Sequence, residues 1–422
     1  MKQIIKKLTP HFLLDWYYFS WSFLGALFYG FPSKKLKVIG VTGTNGKSTV
    51  IEMISSILEE AGFKIAALSS IKFKIADKEE LNMLKMTMPG RFVLQRFLRQ
   101  AVDLGCQYAV IEVTSEGIKQ HRHRFIDFSS AVFTNLSPEH IEAHGSFEKY
   151  RQAKEDLFKI TKGVHVLNTD DENVGHFLKY QADKKYGYGL TASKDTNYQL
   201  LATNYESNAN GIVFEVNNKV FRLNLFAQFN IYNALAAICV GLSENVSLEI
   251  CKSALEKIKQ VPGRMEIVIS APFKVIVDYA FTPNALKKVY SSIKDNFKPS
   301  KMICVLGAAG GGRDKWKRPV LGKIAKEYCD KIIITNEDPY DEDPMEIINQ
   351  IAEGTGNRVQ KILDRREAIR DSLRQAERQD LVIITGKGCE PWICIKNGKK
   401  IPWDDRKIVK QEFEKIDYGI KK

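Results

Sequence analysis

The apolar run from Leu36 to Val41 leads into Thr42-Gly43-Thr44-Asn45-Gly46-Lys47-Ser48-Thr49, and the stretch from Val50 to Ala61 then carries helical periodicity. Strand, glycine-rich turn and helix in that order commit this part of the chain to an α/β unit. A turn of this kind aims its backbone N–H groups at the phosphates of a nucleotide. Its lysine, Lys47, meets the β/γ charge, and the next hydroxyl, Ser48, serves Mg²⁺. Val41 stands where the first glycine of the usual pattern belongs, with Gly40 one residue early. The flanking elements favour a phosphate loop over an unrelated Gly/Asn turn, so ATP or GTP is the expected ligand.

Strand-like and helix-like stretches continue to alternate beyond the loop: Lys64 to Ser69, Arg91 to Leu104, Tyr108 to Val113, Ala131 to Asn135, Phe147 to Ile160 and Gly163 to Asn168. This is the rhythm of a parallel sheet. Tyr198 to Leu225 reads as short strands around the turn Asn208-Ala209-Asn210-Gly211, and Ile231 to Leu242 as a helix. After Val261-Pro262-Gly263 a second α/β rhythm begins, with strands expected at Phe273 to Asp278, Lys301 to Leu306, Lys331 to Thr335 and Leu381 to Thr385. The expected organisation is an aromatic-rich segment 1–35, a nucleotide-binding domain 36–261 and a further α/β domain 262–422.

The formal charge of +13 would suit a polyanion, yet the lysines are spread along the chain rather than blocked, which reads as solvated surface and excludes a nucleic-acid footprint. Seven cysteines between Cys106 and Cys394, with no Cys-x-x-Cys pair, predict neither a disulfide framework nor a zinc knuckle, and point to a reducing cytoplasm. His11 to Phe31 is dense in aromatic and aliphatic residues and is flanked by Lys6-Lys7 and Lys34-Lys35. It lacks a signal-peptide cleavage site, and Asp15 with its tyrosines and tryptophans argues against a transmembrane span. An interfacial helix or a hairpin packed on the protein remain open; ordinary core packing ranks above peripheral membrane contact.

Two residues near strand ends attract attention. Glu112 interrupts an apolar run, where a carboxylate is costly unless paired or metal-bound. His140, in Thr134-Asn135-Leu136-Ser137-Pro138-Glu139-His140, could add a nitrogen to an oxygen-rich Mg²⁺ shell, although a lone loop histidine is more often only capped.

The ordered motifs TGTNGKST from Thr42, EVTS from Glu112, TNLSPEHIEAHG from Thr134, YRQAKEDLF from Tyr150, FNIYNALAA from Phe229, VPGRME from Val261, VDYAFTPNAL from Val277, GGGRDKWKRP from Gly310 and GKGCE from Gly386 resemble the Mur ligases, within them the MurE branch. The resemblance implies a P-loop ATPase-type central domain followed by a Rossmann-like C-terminal domain. It implies an ATP-dependent ligase in which a muramoyl-peptide carboxylate attacks the γ-phosphate and a free amino acid displaces phosphate from the acyl phosphate.

By motif matching, Gly43, Thr44, Asn45, Gly46, Lys47, Ser48 and Thr49 would hold the triphosphate, with Lys47, Glu112, His140 and Lys154 catalytic. Ser48, Glu112, His140 and a carbamylated Lys154 would hold Mg²⁺. From the residues alone, Lys154 on an amphipathic helix reads as exposed. Asn230, Asn233, Arg264 and Asp278 match nucleotide-side positions, although Phe281 stands where a histidine is usual. Thr87, Ser115, Gln120 and Arg122 match acceptor contacts, with Met88 and Glu116 departing from MurE. Arg313, Asp338, Tyr340, Gly386 and Glu390 match the amino-acid site.

Two departures affect the substrates. The family's N-terminal domain of about 100 residues, which grips the uridine diphosphate end of the acceptor, has no counterpart before Gly43. A UDP-muramoyl-peptide, a lipid-linked muropeptide as in the MurT branch, another acceptor on the same fold, and a non-catalytic nucleotide-binding module all stay open. Diaminopimelate-adding members carry Asp-Asn-Pro-Arg where this chain reads Glu337-Asp338-Pro339-Tyr340. Without the arginine fork, Asp338 and the run Asp341-Glu342-Asp343 would favour a distal ammonium, or form only a solvated acidic turn. Oligomeric state is not legible.

Overall fold

The computed structural model describes residues 10–84, 86–139, 141–356 and 359–416. The first element of the described residues is helix α1 (His11–Phe28), followed by strand β1 (Lys37–Thr42). β1 lies inside a nine-stranded sheet with β2 (Ile65–Leu68), β3 (Lys72–Ile75), β4 (Lys78–Leu81), β5 (Tyr108–Glu112), β6 (Phe128–Phe133), β7 (Val164–Asn168), β8 (Lys184–Gly189) and β9 (Tyr198–Leu201), in the order β4-β3-β2-β5-β1-β6-β7-β8-β9. The strands β2-β5-β1-β6-β7-β8-β9 pair in parallel, and β3 and β4 add an antiparallel edge.

All of β1 but Lys37 is buried, because both faces of the sheet are covered. Ile39 and Val41 face α2 (Lys47–Glu60), while Val38 faces α3 (Arg91–Asp103) and α4 (Phe147–Ile160). Helix α5 (Phe229–Ser243) joins α2 on its side. A small antiparallel sheet, β10 (Thr203–Asn208), β11 (Gly211–Val216) and β12 (Lys219–Leu223), extends that core through Phe214 and Phe221.

The second sheet joins β13 (Glu266–Ile269), β14 (Lys274–Asp278), β15 (Met302–Leu306), β16 (Lys331–Thr335), β17 (Gln360–Ile362) and β18 (Leu381–Thr385) in the order β13-β14-β18-β15-β16-β17. Only β13 is antiparallel to its neighbour. The continuous apolar runs of β15, β16 and β18 are what strands buried on both faces require. Helix α6 (Lys317–Tyr328) packs on this sheet.

Two expectations are corrected. The N-terminal aromatic segment is neither a hairpin nor part of a core. It is one helix that meets α3 along the narrow stripe Ser22, Gly25 and Ala26, where a side chain at Gly25 would touch Phe92, and it leaves Phe12, Trp16 and Phe28 about 70% exposed. No helix among the described residues is long and apolar enough to cross a membrane. The cysteines are not all unpaired: Cys304 on β15 and Cys329 at the end of α6 form a disulfide across 25 residues. Short-range spacing could not reveal it, since the return of α6 to the sheet brings the two Cα atoms to 6.0 Å.

Candidate active site

The carboxyl ends of β1, β5 and β6 open on one cleft of about 1070 Å³, which also receives residues of the second sheet. This is where ligands of open α/β sheets sit. The loop after β1 lies against the segment after β6. Thr44 N donates to Asn135 O (2.8 Å), Asn45 N to Asn135 Oδ1 (3.0 Å), and Thr134 Oγ1 to Asn45 O (2.7 Å). Approach this close requires glycine: a Cβ at Gly43 (φ +147°) would overlap Thr134 Oγ1, and one at Gly46 (φ +84°) would stand 2.5 Å from Asn233 Oδ1.

Three basic side chains gather at the phosphate loop around a buried carboxylate. Lys47 Nζ donates to Thr44 O (2.9 Å) and lies 3.7 Å from Glu112 Oε1. Glu112 is buried, and its Oε2 accepts from Ser48 Oγ (2.8 Å) and Ser70 N (2.9 Å). Arg264, from beyond the link between the sheets, donates to Ser70 Oγ (3.0 Å) and reaches Ser48 Oγ (3.4 Å), with its guanidinium over the Tyr279 ring at 4.2 Å. Lys154 on α4 is 2% exposed and donates to Gly43 O at 2.7 Å, which corrects the residue-only expectation of an exposed side chain. Burial, then the charge of Lys47, pushes the Lys154 ammonium well below its usual pKa. Burial also lowers Lys47, partly offset by Glu112 and reinforced by Arg264. Lys47 and Arg264 bring positive charge to the loop beside the single carboxylate of Glu112, and a polyphosphate answers that charge.

The same residues fit Mg²⁺. Glu112 Oε1 has no closer partner than Lys47, the Ser48 hydroxyl is adjacent, and a neutral Lys154 amine can take up CO₂ to present carboxylate oxygens. Among the described residues no group of three His, Cys, Asp or Glu side chains could hold a metal, so ligation would be shared with phosphate and water, as Mg²⁺ prefers. His140 lies outside the described residues.

Asn230 and Asn233 also line the cleft, joined by an Asn233 Nδ2 to Asn230 Oδ1 bond of 2.9 Å. Asp278, at the end of β14, accepts from Met265 N (2.7 Å) and Ala280 N (2.6 Å), and burial raises its pKa. Phe281 lines the cleft with the Lys317 ammonium 5.0 Å above its ring. Across the cleft stand Thr87, Ser115 and Arg122; Ser115 Oγ bonds His144 Nε2 (3.1 Å). Gln120 does not line the cleft, since its side chain turns to Glu116 (2.6 Å) and Arg122 (2.8 Å).

On the second-sheet side Arg313 and Glu390 line the cleft, whereas Asp338, Tyr340 and Gly386 do not. Burial lowers the Arg313 pKa, and Tyr279, Tyr340 and Glu390 more than offset it. The expectation that Asp338 awaits a distal ammonium is corrected. Fully buried Lys387 donates to both its oxygens (3.0 and 3.1 Å) and to Glu390 Oε2 (2.5 Å), because an unpaired ammonium in that place would be costly. The run 341–343 is likewise committed: Asp341 accepts from Asn397 N (2.9 Å), Glu342 from Arg318 (2.9 Å), and Asp343 caps a helix through Met345 N (2.8 Å). Neither Arg365 nor Arg366 replaces the missing fork, since Arg365 is bound to Asp405 (2.7 and 2.9 Å) and Arg366 to Glu412 (2.6 Å).

Sequence reasoning missed Ser70, Asn135, Tyr279 and Lys387. The first two follow ends of parallel strands, a position that could have found them. Lys387 sits inside the GKGCE motif. Also missed was a link between the two sheets, in which buried Lys317 donates to Glu139 (2.9 Å) and the backbone of Lys315 to Glu142 (2.9 Å).

Comparison with known proteins gives two family matches, the Mur ligase middle domain over residues 41–241 and the Mur ligase, glutamate ligase domain over residues 263–388. The chain is 36% identical over 393 residues to a UDP-N-acetylmuramoyl-L-alanyl-D-glutamate--2,6-diaminopimelate ligase of Clostridium tetani, covering 92% of this chain and 80% of that one. It is also 36% identical over 422 residues to a UDP-N-acetylmuramyl-tripeptide synthetase of Roseiflexus, covering 94% and 82%. A solved diaminopimelate ligase of the same description superposes with a TM-score of 0.60 at 30% identity, over 90% of this chain and 78% of that one. A Mycobacterium tuberculosis folylpolyglutamate synthase, at 16% identity and TM-score 0.71 over 87% of this chain and 92% of that one, shares the fold.

Proposed function

The chain belongs to the Mur ligase family, and from that premise we propose that it is an ATP-dependent amide ligase of peptidoglycan precursor synthesis, adding an amino acid to the carboxylate of a muramoyl peptide. The observation that carries this reading is the gathering of Lys47, Lys154 and Arg264 at the phosphate loop, on Glu112, Gly43 O and Ser48 respectively. A carboxylate must approach a polyphosphate in this reaction, and the repulsion between them is the main barrier the site has to remove. Bound Mg²⁺ would neutralise phosphate charge, held by Ser48, Glu112, the carbamate of Lys154 and His140.

Lys47 holds the β/γ end of the nucleotide, and Arg264 ties the second sheet to it. Asn230, Asn233 and Asp278 hold the nucleoside side. Arg122, Ser115 and Thr87 orient the acceptor so that its carboxylate oxygen meets the γ-phosphorus. That step forms an acyl phosphate and releases ADP. Arg313 and Glu390 present the amino acid, whose nitrogen attacks the acyl carbon; the C–O bond to phosphate breaks and the amine loses a proton to solvent. We assign 36–261 and 262–422 as the two working domains. The reaction runs in the cytoplasm, with α1 as a contact to the inner membrane face.

For the amino acid, we propose one without a second carboxylate, since Tyr340 occupies the place of the family's arginine and neither Arg365 nor Arg366 is free to replace it. Coupled ADP release across a panel of muropeptide acceptors and amino acids tests the reading. Release that requires both substrates supports it, and release with neither contradicts it.

A further inference from the structure

We propose that α1 is an interfacial helix that lays the acceptor mouth of the cleft on an anionic bilayer, and that the acceptor is a lipid-anchored molecule lying in that bilayer face. The second half rests on the ligase reading above.

The helix meets α3 through its small-residue stripe and the edge contact of Trp21 with Phe92 (5.5 Å). Phe12, Trp16, Trp21, Leu24, Leu27 and Phe28 remain 40% or more exposed, far more apolar surface than one helix of a water-soluble protein ordinarily shows. Tryptophan and tyrosine mixed with leucine and phenylalanine suit the boundary between headgroups and acyl chains, where each ring buries its body and keeps its polar edge wet. The charges complement an anionic surface. Asp15, the one acidic residue of the helix, is bound to His121 (2.6 Å), and Lys34 and Lys35 stand exposed just beyond the C-terminal end.

The position of the helix ties it to the acceptor. Ser22 Oγ donates to His121 O (2.7 Å), and the rings of Phe19 and Phe23 lie 5.1 and 5.4 Å from that of Phe125. These contacts fix the segment that carries Arg122. On the far side of Arg122 a second exposed apolar group, Met83, Leu84 and Met86, follows β4, with Met86 Sδ 4.0 Å from the guanidinium.

Arg91 lies between, its guanidinium 4.4 Å from the Tyr18 ring. Among the described residues neither Arg91 nor Arg122 forms an ion pair. They donate to Gln120 O, Met88 O and the Gln120 side chain, and the buried Nε of each has no partner. Two guanidiniums without a direct ion pair among the described residues, flanked by exposed apolar residues, suit a phosphate-class group at headgroup depth.

The test is co-sedimentation of the full chain with phosphatidylcholine vesicles, with and without phosphatidylglycerol. The wild type should pellet with the anionic vesicles. Trp16→Ser/Phe28→Ser, at exposed positions that leave the thermal melt unchanged, should lower partition by about tenfold or more, and Lys34→Glu/Lys35→Glu by about tenfold. The same muropeptide, free or coupled to a vesicle lipid, is then compared in ADP release. The coupled form should have the higher kcat/KM, and the Trp16/Phe28 variant should lose that advantage.

Wild type remaining in the supernatant with both vesicle types overturns the proposal. So does a concentration-dependent dimer abolished by Trp16→Ser/Phe28→Ser, which would make a second copy the occupant. Equal use of both acceptor forms refutes the lipid-anchored acceptor. ADP release absent with both forms overturns the ligase reading and the acceptor half with it, while vesicle partition still decides the helix.

Discussion

The two ends of the cleft handle charge in opposite ways. At the phosphate loop, Lys47 and Arg264 flank the buried Glu112 with the Lys154 amine beside them, whereas at the amino-acid end Lys387 is shared by Asp338 and Glu390 and Arg313 also faces Glu390. The first end is unbalanced until an anion arrives. The second is balanced within the protein, Lys387 and Arg313 against Asp338 and Glu390, and so serves as scaffold for the loop that carries Glu390. The lesson is that a buried charge marks a ligand site when its partners fall short, and a structural joint when they do not.

The largest expected effect is that of Lys47→Ala. It should lower kcat by about a thousandfold or more, while stability changes by less than about 1 kcal/mol, because Glu112 keeps Ser48 and Ser70 and the local positive excess is relieved. Steady-state ADP release together with a denaturant melt checks both halves. The contrasting change is Lys387→Met. It removes the cation shared by buried Asp338 and half-buried Glu390 and should cost about 3–5 kcal/mol of stability by the same melt. Equal stability loss in the two variants would break the comparison.

Lys154→Ala should abolish turnover, with partial recovery in the presence of short carboxylates. In the wild type stripped of CO₂, bicarbonate should restore activity. Carbamate forms from the neutral amine, and burial lowers the pKa of Lys154, so recovery should be complete at mildly alkaline pH and weaken as acid protonates the amine. Recovery that is independent of bicarbonate would remove the carbamate from the account.

The phosphate end was legible in the sequence because its parts are local. Thr42 to Thr49 lie between one strand and one helix, and α4 runs over Phe147–Ile160 as its apolar spacing predicts. β16 and β18 likewise match the runs Lys331 to Thr335 and Leu381 to Thr385. The amino-acid end was misread because its charges are settled by distant partners: Lys387 meets Asp338 across 49 residues and Arg365 meets Asp405 across 40. Lys154 was misjudged from periodicity alone, which gives a helix face but not what another loop lays over it. The exposure of α1 was only partly legible: its aromatic residues and basic flanks kept an interfacial helix open, but a segment apolar all round ordinarily reads as core.

A smaller effect sharpens the amino-acid end. With Asp338 neutralised by Lys387, the penalty against diaminopimelate reduces to the missing charge-assisted bond, about 1.5–3 kcal/mol, or roughly ten- to hundredfold in kcat/KM relative to an arginine-bearing relative. Side-by-side kcat/KM values for diaminopimelate, lysine, ornithine and alanine test this. Diaminopimelate winning by about tenfold would mean that a cation other than Arg365 or Arg366 reaches the pocket.

The central claim, that the unbalanced phosphate end activates a carboxylate for amide formation, is tested most directly by ligation with the acceptor carboxylate labelled with ¹⁸O. Attack on the γ-phosphate followed by displacement by the amine transfers one labelled oxygen to inorganic phosphate, and the account predicts singly labelled phosphate in step with ADP. Unlabelled phosphate, with ADP formed at the same rate whether or not acceptor is present, would contradict it.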